Sequence, residues 1–150
     1  MGKPQNILSH EREGQELIEN FPVSFFAHAE AIYHLQEVGI DLKKTRVADW
    51  LQTSRANVSQ VIGRMQNSGL VDFGENLKLT ESGDCLAKIV IRRHRITERF
   101  LSEVLNLPWA DVYKEASKWE NVLSPLTEKA MLEILGLSLI HISEPTRLRS

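Results

Sequence analysis

Side chains that could read DNA bases are concentrated between residues 54 and 64. Asn57, Gln60 and Arg64 are spaced three and four residues apart, so a helix would present all three on one face. Asn and Gln can pair with the edge of adenine and Arg with that of guanine, and Ser59 is short enough to contact a phosphate or a base. The positions that would face a core are Val58, Ile62 and Met65. This division predicts a helix with one buried face and one DNA-reading face.

Positive charge collects around the same segment. Between residues 43 and 70, five basic residues stand against a single acidic one, Asp49, in a chain whose net charge is −2. The basic residues are Lys43, Lys44, Arg46, Arg55 and Arg64. Such a patch suits contact with phosphates, although lysine and arginine also occur on ordinary solvated helices. Because the patch coincides with the DNA-reading positions, we predict DNA contacts from Lys43, Lys44, Arg46, Ser54, Arg55, Asn57, Ser59, Gln60 and Arg64.

A second group of residues has the chemistry of a metal site. His94 and Glu98 are four residues apart, so a helix would point both to one side. The other candidate ligands are Glu30, Ser117, Glu120 and Asn121. One imidazole nitrogen with several carboxylate oxygens is a donor set that Mn²⁺ or Fe²⁺ accepts. A His/Glu pair at this spacing is more often a surface salt bridge, so spacing alone leaves both interpretations open.

Hydrophobic periodicity and turn residues predict the elements that must position these side chains. The predicted order is three helices, a β-hairpin and three further helices. The elements are a helix from Ser24 to Val38, short helices over 45–51 and 55–67 separated by a turn at 52–54, strands 71–73 and 77–79, a long helix from an N-cap at Thr80 to about Leu105, a helix from Pro108 to Leu123 and a last helix capped by Ser124. Two short helices joined by a tight turn and followed by a hairpin form a winged helix-turn-helix, whose third helix enters the major groove.

Length and composition exclude several classes of protein. With 150 residues, 42% of them hydrophobic, the chain forms one ordinary domain or two very small ones rather than a large enzyme. No apolar run approaches the roughly 18 to 20 residues of a membrane-spanning helix, and no secretory signal is recognisable, so we expect a cytoplasmic protein without membrane contact. Cys85 is the only cysteine, which excludes an internal disulfide and a multi-cysteine zinc cluster.

Several segments resemble the diphtheria toxin repressor family of iron- and manganese-responsive repressors. In the first half these are Ala48–Leu51, Asn57–Met65, Gly69–Val71 and Leu79–Gly83; in the second half they are Arg92–Leu101, Val104–Trp109, Val112–Tyr113, Glu115–Ala116, Trp119–Glu120 and Leu123–Ser124. The resemblance covers nearly everything from Ala29 to Leu135. It implies a cytoplasmic homodimer that dimerises through the helices after the wing and binds palindromic operators when loaded with Fe²⁺ or Mn²⁺, as suits a two-fold symmetric protein.

The same resemblance places the metal ligands residue by residue. His94, Glu98 and Glu120 stand where the family has ligands, and Glu30 matches the helix-one glutamate of its manganese-type members. Four positions depart from the family pattern, namely Ala27, Tyr113, Ser117 and Asn121, which stand where the family places other ligands. Neutral Ser and Asn oxygens add no charge, so affinity should fall and preference should lean towards Mn²⁺. His28 or His34 could substitute, although we expect both to be ordinary surface histidines.

These inferences predict a mainly α-helical protein in four parts. Residues 1–22 form a flexible N-terminal arm, residues 23–80 a winged helix-turn-helix DNA-binding domain, and residues 81–136 a helical dimerisation and metal-binding domain. Residues 137–150 resemble translated sequencing-adapter sequence, so we expect a non-native tail there that cuts the helical domain short.

The predicted function is a non-enzymatic, metal-dependent transcriptional repressor that controls manganese or iron homeostasis. Its partners would be a double-stranded DNA operator, a second copy of the chain and a divalent metal ion. An alternative is a winged-helix regulator of the same fold that has lost metal control. A third is a metal-buffering or hydrolytic protein, which the basic recognition face and the lack of a nucleophile paired with a base argue against.

Overall fold

The computed structural model describes residues 16–39, 41–119 and 122–136. Its elements are α1 (Val23–Glu37), α2 (Lys44–Leu51), α3 (Arg55–Asn67), β1 (Val71–Phe73), β2 (Leu77–Leu79), α4 (Glu81–Arg99), a π-helical segment (Phe100–Val104), α5 (Trp109–Trp119) and α6 (Pro125–Leu135). The chain divides into two compact units that meet between residues 89 and 90. None of the helices in the described ranges is both long and apolar enough to cross a membrane.

The helix-turn-helix in the first unit is set by its turn and its cap. Gln52 ends α2 in the left-handed conformation, with φ of 52°. Ser54 then accepts a hydrogen bond from the Asn57 N–H at 3.1 Å, which satisfies one of the unpaired donors at the start of α3. The predicted core positions of α3, Val58, Ile62 and Met65, are all fully buried. The predicted division of this helix into a buried and an exposed face is therefore confirmed.

The predicted hairpin is confirmed with its bounds. The strands β1 and β2 are antiparallel, and the register pairs Val71 with Leu79 and Phe73 with Leu77. A further backbone bond joins the Leu77 N–H to the Leu42 carbonyl at 3.0 Å, so the segment before α2 is tied to the wing.

A tight junction links the end of α3, the hairpin of β1 and β2 (the wing) and α4. The Thr80 hydroxyl donates to the Gly69 carbonyl at 2.6 Å and accepts from the Gly83 N–H at 3.1 Å, which confirms Thr80 as the N-cap of α4. The Thr80 N–H also donates to the Leu70 carbonyl at 3.0 Å. A Cβ on Gly83 would overlap that same carbonyl oxygen. Only glycine lets the first turn of α4 lie so close to the wing.

The long helix of the second unit ends differently from the prediction. We expected one α-helix to about Leu105, but the last five residues form a π-helical segment in which the Leu105 N–H donates to the Phe100 carbonyl at 3.2 Å. Phe100 packs on the cluster formed by Ile96, Leu123, Met131 and Leu132, whereas Leu101 is fully buried with Val112 and Ala116. The wider π-helical turn thus directs two neighbouring side chains, Phe100 and Leu101, into different hydrophobic clusters. Hydrophobic periodicity in the sequence cannot reveal this arrangement.

A buried ion-pair network joins α4 to α6. Arg92 Nη2 lies 3.2 Å from Glu128 Oε1, and Arg93 Nε lies 3.1 Å from Glu128 Oε2. Both Arg93 and Glu128 are buried, so neither charge would be tolerated there without the other. The hydroxyl of Ser124 caps α6 as predicted, accepting from the Thr127 N–H at 3.3 Å.

Several domain predictions fall at the edges of the described ranges. The arm over 1–15 and the tail over 137–150 lie outside them. Residues 16–20, which we placed in a flexible arm, are helical, and the Phe21 ring stacks on Phe25 at 5.8 Å between centroids. We placed the domain boundary after residue 80, whereas the units meet nine residues later because the first turn of α4 is fastened to the wing.

We predict that Gly83→Ala destabilises the protein by about 1–3 kcal/mol, because the added methyl group forces the backbone of Leu70 to move. Urea unfolding followed by circular dichroism measures the change. Gly63→Ala is the matched control: it lies inside α3 with open space around its Cβ position, and it should raise stability by about 0.5–1 kcal/mol. Equal effects of the two substitutions would contradict the role of Gly83.

We also predict that stability falls in mild acid through His28. Burial lowers the pKa of His28 below its usual 6.5, against the opposing effect of its hydrogen bond to the Ser24 carbonyl. As the pH falls, His28 therefore binds a proton in the unfolded chain before it does so in the folded chain. The contribution of neutral His28 to the free energy of unfolding is complete above pH 6.5 and is lost as the pH falls towards the lower pKa of the folded state.

Urea titrations between about pH 5 and 7.5 should show a smaller pH slope for His28→Leu than for the wild type. If His28→Leu keeps the wild-type slope, another group carries the acid sensitivity.

Candidate functional site

The outer face of α3 displays the predicted base-reading side chains. Asn57, Ser59, Gln60 and Arg64 are all exposed, while the opposite face is buried in the first unit. Asn57 is also held at its amide, which donates to the Thr53 hydroxyl at 3.1 Å. This leaves the amide oxygen and the second amide N–H of Asn57 able to face a ligand. The Thr53 contact follows the i to i+4 spacing of a helix start and could have been foreseen from the sequence.

Several basic residues around α2 and α3 are exposed and form no ion pair with a described carboxylate. Lys43, Arg46, Arg55 and Arg64 are exposed, and within the described ranges none of them has an ion-pair partner. Lys44, the first residue of α2, is half-buried. Ser54 is exposed too, but its hydroxyl serves as the N-cap of α3.

On α4, by contrast, several basic side chains form ion pairs with carboxylates. Lys88 lies 2.9 Å from Asp84, Arg93 lies 3.1 Å from Glu128, and Arg99 lies 3.0 Å from Glu103. Among the described residues, exposed cations without an ion-pair partner are thus found on the helix-turn-helix.

One contact of the reading face was not foreseen. The guanidinium carbon of Arg64 lies 5.4 Å from the centroid of the Phe25 ring, which belongs to the buried side of α1. This is cation–π geometry. The two residues are far apart in the sequence and no spacing rule joins them, so only the packing of α1 on α3 reveals the pair.

In the second unit, His94 and Glu98 come together as their spacing predicted. His94 Nε2 lies 2.6 Å from Glu98 Oε1, and the side chains are 9% and 28% exposed. The Tyr113 ring from α5 meets the imidazole edge-on, with centroids 5.1 Å apart. An imidazole nitrogen and a carboxylate oxygen in a shielded place fit two donors of a divalent-metal site.

The other predicted ligands are distributed more widely. Ser117 lies on α5, and its hydroxyl donates to the Tyr113 carbonyl at 3.0 Å. Glu120 and Asn121 lie outside the described residues. Glu30 lies in the first unit, where its carboxylate is 3.8 Å from His34 Nε2. Within the described ranges, no group of three His, Cys, Asp or Glu side chains is arranged to hold a metal ion.

The expectation that His28 and His34 are surface histidines is wrong for His28. Its ring is buried, Nδ1 lies 2.8 Å from the Ser24 carbonyl, and Nε2 has no hydrogen-bond partner among the described residues. His28 belongs to the core of the first unit because it follows Phe25 and Phe26 on the buried side of α1. His34 is partly exposed and stacks on Trp50.

The first unit, with the exposed outer face of α3, has the fold of a winged helix-turn-helix protein, and the second unit is helical. The family pattern described as "Iron dependent repressor, metal binding and dimerisation domain" matches residues 80–138. The chain is 40% identical over 107 residues to the iron-dependent repressor IdeR of Mycobacterium tuberculosis, which is 70% of this chain and 46% of that protein. It is 37% identical over 106 residues to the diphtheria toxin repressor of Corynebacterium diphtheriae, covering 69% and 47%.

Solved structures agree with this assignment. A manganese-dependent transcriptional repressor in complex with manganese superimposes with a TM-score of 0.67 at 31% identity, over 73% of this chain and 52% of that one. Over these residues the chain is similar to members of the diphtheria toxin repressor family. It spans about half the length of the curated relatives it matches.

Proposed function

We propose that this chain is a DNA-binding transcriptional repressor that acts in the cytoplasm. The observation that carries the proposal is the outer face of α3, where Asn57, Gln60 and Arg64 are exposed beside cations that no described carboxylate neutralises. Direct readout would come from these three side chains. Lys43, Arg46 and Arg55 would contact phosphates and fix the register of the helix on the duplex.

We propose further that a divalent metal ion, Mn²⁺ or Fe²⁺, acts as co-repressor. His94 and Glu98 would supply an imidazole and a carboxylate, and Ser117, Glu120, Asn121 and Glu30 are the further candidates. When bound, the ion would supply a positive charge that these donors share. The names of the relatives and of the manganese complex support this role. The metal shifts the protein towards DNA binding only if it binds that state more tightly than the other.

A homodimer on a palindromic operator is the third part of the proposal. Large apolar side chains are exposed on the second unit, among them Trp109 at 79%, Val122 at 80% and Leu126 at 79%. If these side chains form one contiguous patch, that patch is a candidate association surface. The matched family pattern describes this region as a dimerisation domain. Two copies would present two recognition helices about 34 Å apart, one turn of DNA.

A regulator of the same fold without metal control is the second candidate. Two observations favour it. His94 Nε2 already lies 2.6 Å from Glu98 Oε1, and Tyr113 packs on its ring, so the imidazole and this carboxylate contact each other without a metal ion. The described residues also offer no third strong ligand beside them. In that case the chain would bind DNA equally well with and without metal.

Gln60→Ala and Arg64→Ala should each weaken binding of a selected DNA duplex by about tenfold, without lowering thermal stability, because each side chain can form a paired contact with a base edge. Fluorescence anisotropy with a labelled duplex measures the affinity. Gln66→Ala is the matched control, since Gln66 is exposed about 120° around α3 from Gln60. Unchanged affinity in both variants would remove these residues from the DNA contact.

His94→Ala should abolish the stimulation of DNA binding by metal, because it removes the only imidazole of the proposed site. Titration of Mn²⁺, Fe²⁺ and Zn²⁺ into the chain with a labelled duplex measures that stimulation. Glu103→Gln, which alters an exposed carboxylate beyond the end of α4, should respond like the wild type. A full response from His94→Ala would contradict the metal role, and a wild type indifferent to all three ions would favour the second candidate.

A further inference from the structure

The recognition helix carries one reading side chain whose flat face is covered by another helix. Arg64 is exposed, yet its guanidinium lies over the ring of Phe25, which is only 2% exposed. The ring is fixed in place, because Phe25 is packed in the core of the first unit. A rigid aromatic surface thus lies beneath a long, flexible basic side chain.

This contact uses only one part of the guanidinium. A ring attracts the face of the guanidinium, whereas the N–H groups point outwards in its plane. Within the described ranges, these N–H groups have neither a hydrogen-bond nor an ion-pair partner. The side chain is therefore held without using the donors that would bind a phosphate or a guanine edge.

We propose that Phe25 is a positioning residue that holds Arg64 in its DNA-binding orientation. An unsupported arginine samples many rotamers and loses that freedom when it binds, and the ring removes part of this loss beforehand. The inference rests on the proposed DNA-binding function. It adds that α1, which contributes no predicted base contact, influences the readout through one ring.

Replacing Phe25 tests this proposal when it is combined with Arg64→Ala. The probe is a fluorescein-labelled duplex that the wild-type chain selects from a random pool in the presence of Mn²⁺. Phe25→Leu should weaken binding about two- to fivefold, as expected for the loss of an exposed cation–π contact. In the Arg64→Ala background the same change should have no further effect, because the side chain it positions is gone.

Two further variants separate positioning from packing. Phe21→Leu removes a ring that stacks on Phe25, so it is the matched control and should bind like the wild type. Trifluorophenylalanine at position 25 keeps the shape of the ring but weakens its attraction for a cation, so it should reproduce the loss seen with Phe25→Leu. The circular dichroism spectrum and thermal midpoint of this variant should match the wild type.

The outcomes are distinct. Equal weakening by Phe25→Leu in the wild-type and Arg64→Ala backgrounds would show that Phe25 acts through general packing, and this overturns the proposal. Full affinity with trifluorophenylalanine also overturns it. If the wild type selects no duplex at all, the proposed function fails together with the inference. If the wild type binds and Phe25→Leu binds equally well, only the inference fails.

Discussion

The first unit depends on the close approach of Gly83 to the carbonyl of Leu70. Recognition helix, wing and α4 meet there, and the Thr80 hydroxyl bonds both to the end of the turn after α3 and to the first turn of α4. Because the backbone segments touch directly, no side chain at this point can be repacked to absorb a change. The orientation of the wing relative to α3 is therefore set by backbone contacts rather than by the exposed side chains of α3.

Basic side chains are paired with carboxylates on α4 but not on the exposed surface of α2 and α3 in the described part of the chain. On α4 several cations are paired with carboxylates, and the pair at Glu128 is buried. On α2 and α3 the exposed cations have no such partners in the described part of the chain. Although the whole sequence is slightly acidic, a localised positive surface results. Binding to DNA as proposed would rest on phosphate contacts of this surface and would therefore depend strongly on salt.

The sequence predicted much of the fold and less of the site. Periodicity located α3 and its buried face, and turn residues located the hairpin, because these signals are local. The π-helical segment was missed because it accompanies packing against two clusters distant in sequence. The prediction for His28 was wrong for a related reason. Histidine is usually exposed, but the packing of α1 buries this side chain in the core of the first unit. The pair of His94 and Glu98 was predictable from spacing, whereas the Tyr113 ring beside it was not.

The pairing of Arg92 and Arg93 with a single carboxylate affects how the second unit can be divided. Glu128 is the described partner of both guanidinium groups, and it lies on α6. A shortened chain that ends after α5 would lose the carboxylate that both guanidinium groups contact, together with the packing of Met131 and Leu132 on Ile96. The helix Pro125–Leu135 is therefore an integral part of the second unit, and a fragment meant to fold as this unit must include it.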